Sequence, residues 1–188
     1  MKNNSVSLHR IIHASPEKLF RAFAEPTAHS NWLPPYGFLC TVQQMDFKVG
    51  GKFKMTFTNF STGGSHSFGG EYQEIKTNEL LKYSDRFDDP NLPGEITTTV
   101  QLKAVSVGTE LKVLQEGIPE AIPAEMCYLG WQESLTLLAQ LVEREPAGHA
   151  EALPLADEAA RAGGGVELVL DVADDLLDHV LQRHDPLR

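Results

Sequence analysis

The alternating residues Leu81, Tyr83, Asp85 and Phe87 carry the clearest hint of chemistry in the chain. In a strand every second side chain points to one face, so an inward Asp85 would stand beside Tyr83, with Tyr72 and Gln115 as candidate neighbours on other strands. A carboxyl group in an apolar interior resists ionisation, and it needs an Arg, a tyrosine hydroxyl, water or a ligand as partner. An acid and a phenol side by side can move protons, as a cyclase or hydrolase requires. The competing placement puts Asp85 at a strand end, facing solvent with or without Arg86. The general rarity of buried acids favours this second placement.

Trp32, Tyr36, Phe53, Met55, Phe57, Tyr72, Tyr83, Met126 and Trp131 form a candidate apolar lining, most of it expected to be ordinary core. Each CH₂ of an apolar ligand buried there would contribute roughly 0.8 kcal/mol, while a few hydroxyls set its orientation. Other chemistries find less support. The seven histidines show no HExxH spacing and no Cys/His cluster, and there is no GxSxG elbow or GxxxxGK[ST] loop. No metal and no cofactor are expected. Cys40 and Cys127 lie far apart in different expected elements and read as small apolar core residues. Cys127, near a helix start, has no evident base to activate it.

What must position these residues is a long helix over residues 124–145. Cys127, Trp131, Leu135, Leu138 and Val142 recur at spacings of four, four, three and four along one face, widened by Leu137 and Leu141. Pro123 suits its first turn and Pro146 stops it. Residues 6–13 read as a strand. Ser15 as N-cap and Pro16 open a short helix to Phe23, and Thr27 is expected to cap a second one through Leu33 that Pro34-Pro35 ends. From residue 38 to 115 the period is two, giving strands at 38–46, 52–60, 68–75, 80–87, 95–103 and 109–115. Gly69-Gly70 predict a bulge or a close backbone approach.

Half-polar strands on short turns make an antiparallel sheet with one dry face. The expected fold is therefore α+β, a seven-stranded curved antiparallel sheet wrapped around the long helix. Two short helices follow the first strand, and a helical tail is added at the end. One helix laid across a twisted sheet cannot fill every space between them, which leaves room for a cavity.

The chain has 188 residues, 41% of them hydrophobic, with a formal net charge of −10. That content supports one substantial core plus an appendage. The acidic balance, with no Lys/Arg cluster, argues against general nucleic-acid binding. No segment approaches the roughly 20 apolar residues of a membrane span. The N-terminal MKNNSVSLHR lacks the apolar run of a signal sequence, so a cytoplasmic location is expected.

Several pieces, in order, resemble the heat-shock protein 90 ATPase activator homologue family within the SRPBCC or START-like (Bet v-like helix-grip) superfamily. They are residues 14–20 (ASPEKLF), the Trp32 segment, 46–51 (DFKVGG), 68–75 (FGGEYQEI), 79–83, 117–119 (GIP) and 130–135 (GWQESL). The resemblance covers about residues 6–145. Asn31-Trp32-Leu33 departs from it, because many relatives carry two adjacent tryptophans there. The resemblance implies the fold and an apolar-ligand cavity. It does not fix an activity, since members include chaperone-associated domains, carriers and cyclases.

Residues 1–145 are thus the helix-grip domain and 146–188 an acidic linker and tail, with nine acidic side chains against three arginines. In the tail Val166, Val169, Ala173, Leu176 and Val180 share a helical face, for docking on the body or in a homodimer. Alternatively residues 166–170 form a short strand and Asp171 caps a helix to about Arg183. The leading expectation is binding of a small hydrophobic or aromatic molecule between sheet and helix. The alternatives are a co-chaperone or stress-related domain contacting a protein partner, and a cyclase- or hydrolase-type enzyme using Asp85 and Tyr83.

Overall fold

The computed structural model describes residues 4–143; the linker and tail expectations lie outside them. The elements are β1 (Ser5–Ile12), α1 (Pro16–Ala24), α2 (Pro26–Trp32), β2 (Phe38–Met45), β3 (Lys52–Asn59), β4 (Ser65–Lys76), β5 (Leu80–Phe87), β6 (Ile96–Val105), β7 (Gly108–Glu116) and α3 (Ala124–Glu143). The seven strands form one sheet in the order β1-β7-β6-β5-β4-β3-β2, antiparallel throughout. After β1 the chain crosses to the far edge through two helices, then returns hairpin by hairpin until β7 pairs with β1. This is the expected α+β helix-grip. Among the described residues no helix is long and apolar enough to cross a membrane.

α1 begins as its sequence dictates. Ser15 Oγ accepts the Lys18 N–H at 3.4 Å, Pro16 occupies the first turn, and Leu19, Ala22 and Phe23 are buried. α2 corrects the expectation for Thr27. Pro26 already stands in the first turn, so the cap position falls to Glu25, whose extended backbone is what a residue before proline prefers. Thr27 lies inside the helix, where its carbonyl accepts from the side chains of Ser30 and Asn31. Trp32 locks the two helices together. Its ring packs 4.6 Å from Phe23, and its indole N–H donates to the Ala22 carbonyl at 2.9 Å.

In β3, Phe53 and Met55 are buried and Lys52 is exposed, which follows the alternation. β4 starts earlier than expected, at Ser65, because Asn59 tightens the preceding turn. Asn59 Oδ1 accepts the N–H groups of Ser61 and Thr62, both at 2.9 Å. Gly70 is a point of close approach: a Cβ there would run into the Ser84 carbonyl. The bulge itself lies further on, between Tyr72 and Glu74. Gly70→Ala is accordingly expected to destabilise the domain by about 1–3 kcal/mol, because backbone must move to admit the methyl. The midpoint of urea unfolding measures it.

α3 buries Trp131, Ser134, Leu135, Leu138 and Val142. Leu137 is only half-buried and Leu141 is exposed, so its apolar stripe is narrower than the sequence implies. Polar ties fix where the helix lies. Arg10, on the inner face of β1, donates to Thr136 Oγ1 at 3.1 Å and to Gln132 Oε1 at 2.8 Å. Ser134 Oγ donates to the Leu33 carbonyl at 2.6 Å, and Glu133 accepts the Tyr36 N–H at 3.0 Å. The α3 backbone comes close to β1, α1 and α2, with no comparably close approach to β3–β6. Over the middle of the sheet α3 meets the strands through side chains, as Trp131 meets Gln115.

Candidate functional site

The strand register builds the face of the sheet beneath α3. Tyr72, Tyr83, Thr98 and Gln115 stand opposite one another on β4, β5, β6 and β7. The next inward row is Phe53, Gly70, Asp85 and Ile96 on β3 to β6. Beyond it lie Met55, Phe68 and Phe87, then Phe57 with His66. The rings meet at edge-on angles: Phe53 lies 5.6 Å from Tyr83, Phe57 lies 5.0 Å from Phe68, and His66 lies 5.7 Å from Phe57. Phe38 and Phe87 complete this group, each 6.1 Å from His66. From the other side Trp131 is 7% exposed and donates its indole N–H to Gln115 Oε1 at 3.2 Å.

Asp85 is the exceptional residue here. The solvent-facing placement favoured on the rarity of buried acids is overturned: Asp85 is only 8% exposed and lies inward beside Tyr83, as strand parity allows. Arg86 faces the other way and binds Glu95 at 2.9 Å. Among the described residues no hydrogen bond or ion pair holds the Asp85 carboxyl. Burial, helped by the charge of Glu95, pushes its pKa up to about 7. Asp85 is felt in turn on α3. The Cys127 thiol on α3 is raised to about 11, first by burial and then by Asp85, the opposite of what an activated nucleophile needs. Tyr83 is pushed up by burial and then by Asp85, and Tyr72 by burial.

Thr98 was legible as an inward residue of its strand but not as a site residue. It is fully buried, and although its Oγ1 is near enough to favour the ionised Tyr83 hydroxyl, no hydrogen bond of good geometry reaches it among the described residues. Of the other candidates, Phe53, Met55, Tyr72 and Tyr83 lie on the floor and Trp131 in the roof, all buried. Phe57 and Met126 are half-buried. Trp32 belongs to the α1–α2 packing just described, and Tyr36 is 46% exposed on the loop before β2. Sequence reasoning placed Phe87 on the inward face without counting it as lining and passed over Phe38, His66 and Phe68, although strand parity carried the signal for Phe68.

The family model for Activator of Hsp90 ATPase homolog 1-like protein matches residues 13–143. The chain belongs to this family. Similar solved structures support the fold across it. A protein from Chromobacterium violaceum shares 51% identity, with 76% of this chain and 99% of that one covered at a TM-score of 0.75. One from Rhodobacter sphaeroides shares 23% identity over 73% of this chain and 90% of that one, with a TM-score of 0.65. At 19% identity, a protein from Nitrosomonas europaea covers 73% of this chain and 92% of itself at a TM-score of 0.60. No curated protein matches the chain. Family membership accounts for the sheet, the helix pair and α3, and it leaves the role of the buried acid to physical argument.

Proposed function

We propose that this domain binds a small hydrophobic or aromatic molecule between the concave face of the sheet and α3. The observation that carries the reading is the placement of α3: tied to β1, α1 and α2, it leaves the middle of the sheet to side chains alone. Those side chains are suited to an apolar guest. Rings line the floor from Tyr72 to Phe57, several of them only half-buried, and Trp131 closes the roof. Asp85, Tyr83 and Thr98 supply a few converging polar atoms that would fix the orientation of a guest.

A thermal-shift screen with lipids, polyketides and aromatics, followed by native mass spectrometry, tests the reading. A ligand at about 100 times its Kd should add about 2.7 kcal/mol to stability and raise Tm by several degrees. Tm values flat across all three classes would count against it. The burial of Asp85 beside Tyr83 favours one second reading, an enzyme of cyclase or hydrolase type, because an acid titrating near neutrality suits general acid–base work. On that reading Asp85→Asn removes turnover while the circular dichroism of the folded chain is kept.

A further inference from the structure

We propose that the molecule held in this interior carries one protonated nitrogen on an apolar body, an aromatic or alkyl amine, with the nitrogen set against the Asp85 carboxylate. This rests on the binding reading above and narrows it to one ligand class. Thr98 Oγ1 is fully buried with no hydrogen-bond partner among the described residues, and Asp85, 8% exposed beside it, makes no hydrogen bond or ion pair with them. A buried carboxylate is stable only when a cation or several donors face it. Among the described residues no hydrogen bond or ion pair supplies either. The groups whose charge it shares are Tyr83 on its own strand, Cys127 on α3 and Glu95 just before β6, with Tyr72 facing Tyr83 from β4. None of these is a cation. The nearest in sequence, Arg86, is committed to Glu95, and Lys54 is committed to Asp88.

An ammonium group would complete the site. It would bring donors to Asp85, with the Thr98 and Tyr83 oxygens as further acceptors, and the faces of Tyr72, Tyr83 and Trp131 favour a cation. An anionic ligand would meet the Asp85 charge with no cation among the described residues paired to it. The exchange balances simply. Where Asp85 is protonated in the empty protein, the incoming ammonium replaces that proton, which passes to the buffer, and a carboxylate–ammonium pair remains. Affinity for an amine should therefore rise with pH as Asp85 ionises, then fall once the amine itself loses its proton.

Isothermal titration of the full chain with 2-naphthylmethylamine, 2-naphthalenemethanol and 2-naphthoic acid tests this with one apolar body and three head groups. Near pH 8 the amine should bind at least about tenfold tighter than the alcohol, as a charge-assisted hydrogen bond implies, and the acid should be weakest. Near pH 5.5 that ratio should shrink by about tenfold, and near pH 6.5 binding should release a proton, read from buffers of different ionisation enthalpy. In Asp85→Asn the amine-to-alcohol ratio should fall towards one. The wild-type pH series decides the matter even if that variant folds poorly. Alcohol binding as tight as amine binding, or an unchanged ratio in Asp85→Asn, would overturn the amine assignment and leave the apolar cavity standing. Failure of all three probes to bind would remove both.

Discussion

Asp85→Asn is expected to change how this domain's stability responds to pH. The carboxyl has a folded pKa of about 7 against an ordinary 3.8, raised first by burial and then by Glu95. As pH rises from about 4 towards 7, the unfolded chain gives up its proton while the folded chain holds it. The stability tied to this group is thus fully present below 3.8 and is lost on the way up through 7. The gap corresponds to about 4 kcal/mol once both states have titrated, a large part of the total stability of a small domain. Asparagine keeps the shape and abolishes the charge. Its amide still requires partners in a dry place, which costs about 1–3 kcal/mol at every pH. The change with pH is therefore the decisive readout. Near pH 8 the variant should be the more stable protein by about 1–3 kcal/mol, and near pH 4 the order should invert. Urea unfolding across that range measures it, and parallel curves for the two proteins would mean that Asp85 is not held in a dry site.

The same residue shows where sequence reading stops. Parity along β5 placed Asp85 beside Tyr83, and the opposite expectation came only from the scarcity of buried acids. Which of the two held depended on the close approach of β4 and β5 at Gly70 and on α3 lying over that face, and both are tertiary facts. The strands were legible because Phe53 and Met55 alternate with lysines and because turn formers punctuate each hairpin. β5 matched at both ends. The cap of α2 was misread for a local reason: Thr27 is a good capping residue, but Pro26 sets the first turn and moves the cap to Glu25. Arg10 illustrates a distant one. Nothing in strand β1 announces that an inward arginine will tie down α3, since Gln132 and Thr136 lie 122 and 126 residues away. Thr98 looks like any half-buried strand threonine until its neighbours are known to leave its hydroxyl unbonded.

His29→Leu is expected to act in the opposite direction from Asp85→Asn. The His29 ring lies on α2 between Phe23 at 6.2 Å and Trp32 at 5.1 Å, and among the described residues neither of its nitrogens finds a hydrogen-bond partner. The Trp32 indole N–H beside it is already used on the Ala22 carbonyl. Burial alone lowers its pKa from 6.5 to about 4. Below pH 6.5 the unfolded chain therefore gains a proton that the folded chain refuses until about pH 4, and stability falls as the solution is acidified. The full drop is about 3 kcal/mol, close to what Asp85 contributes with the opposite sign over nearly the same range. In the wild type the two slopes offset each other, so stability should be almost flat from these groups between pH 4 and 6.5. Leucine removes one slope and two stranded nitrogens together. The variant should gain about 1–3 kcal/mol near pH 7, and it should become steadily more stable towards acid while Asp85 alone titrates. Combining both substitutions should restore the flat profile at a higher level, because the two side chains belong to separate clusters whose effects add. A His29→Leu profile as flat as the wild type's would show that the imidazole is already charged, or already paired, in the folded protein.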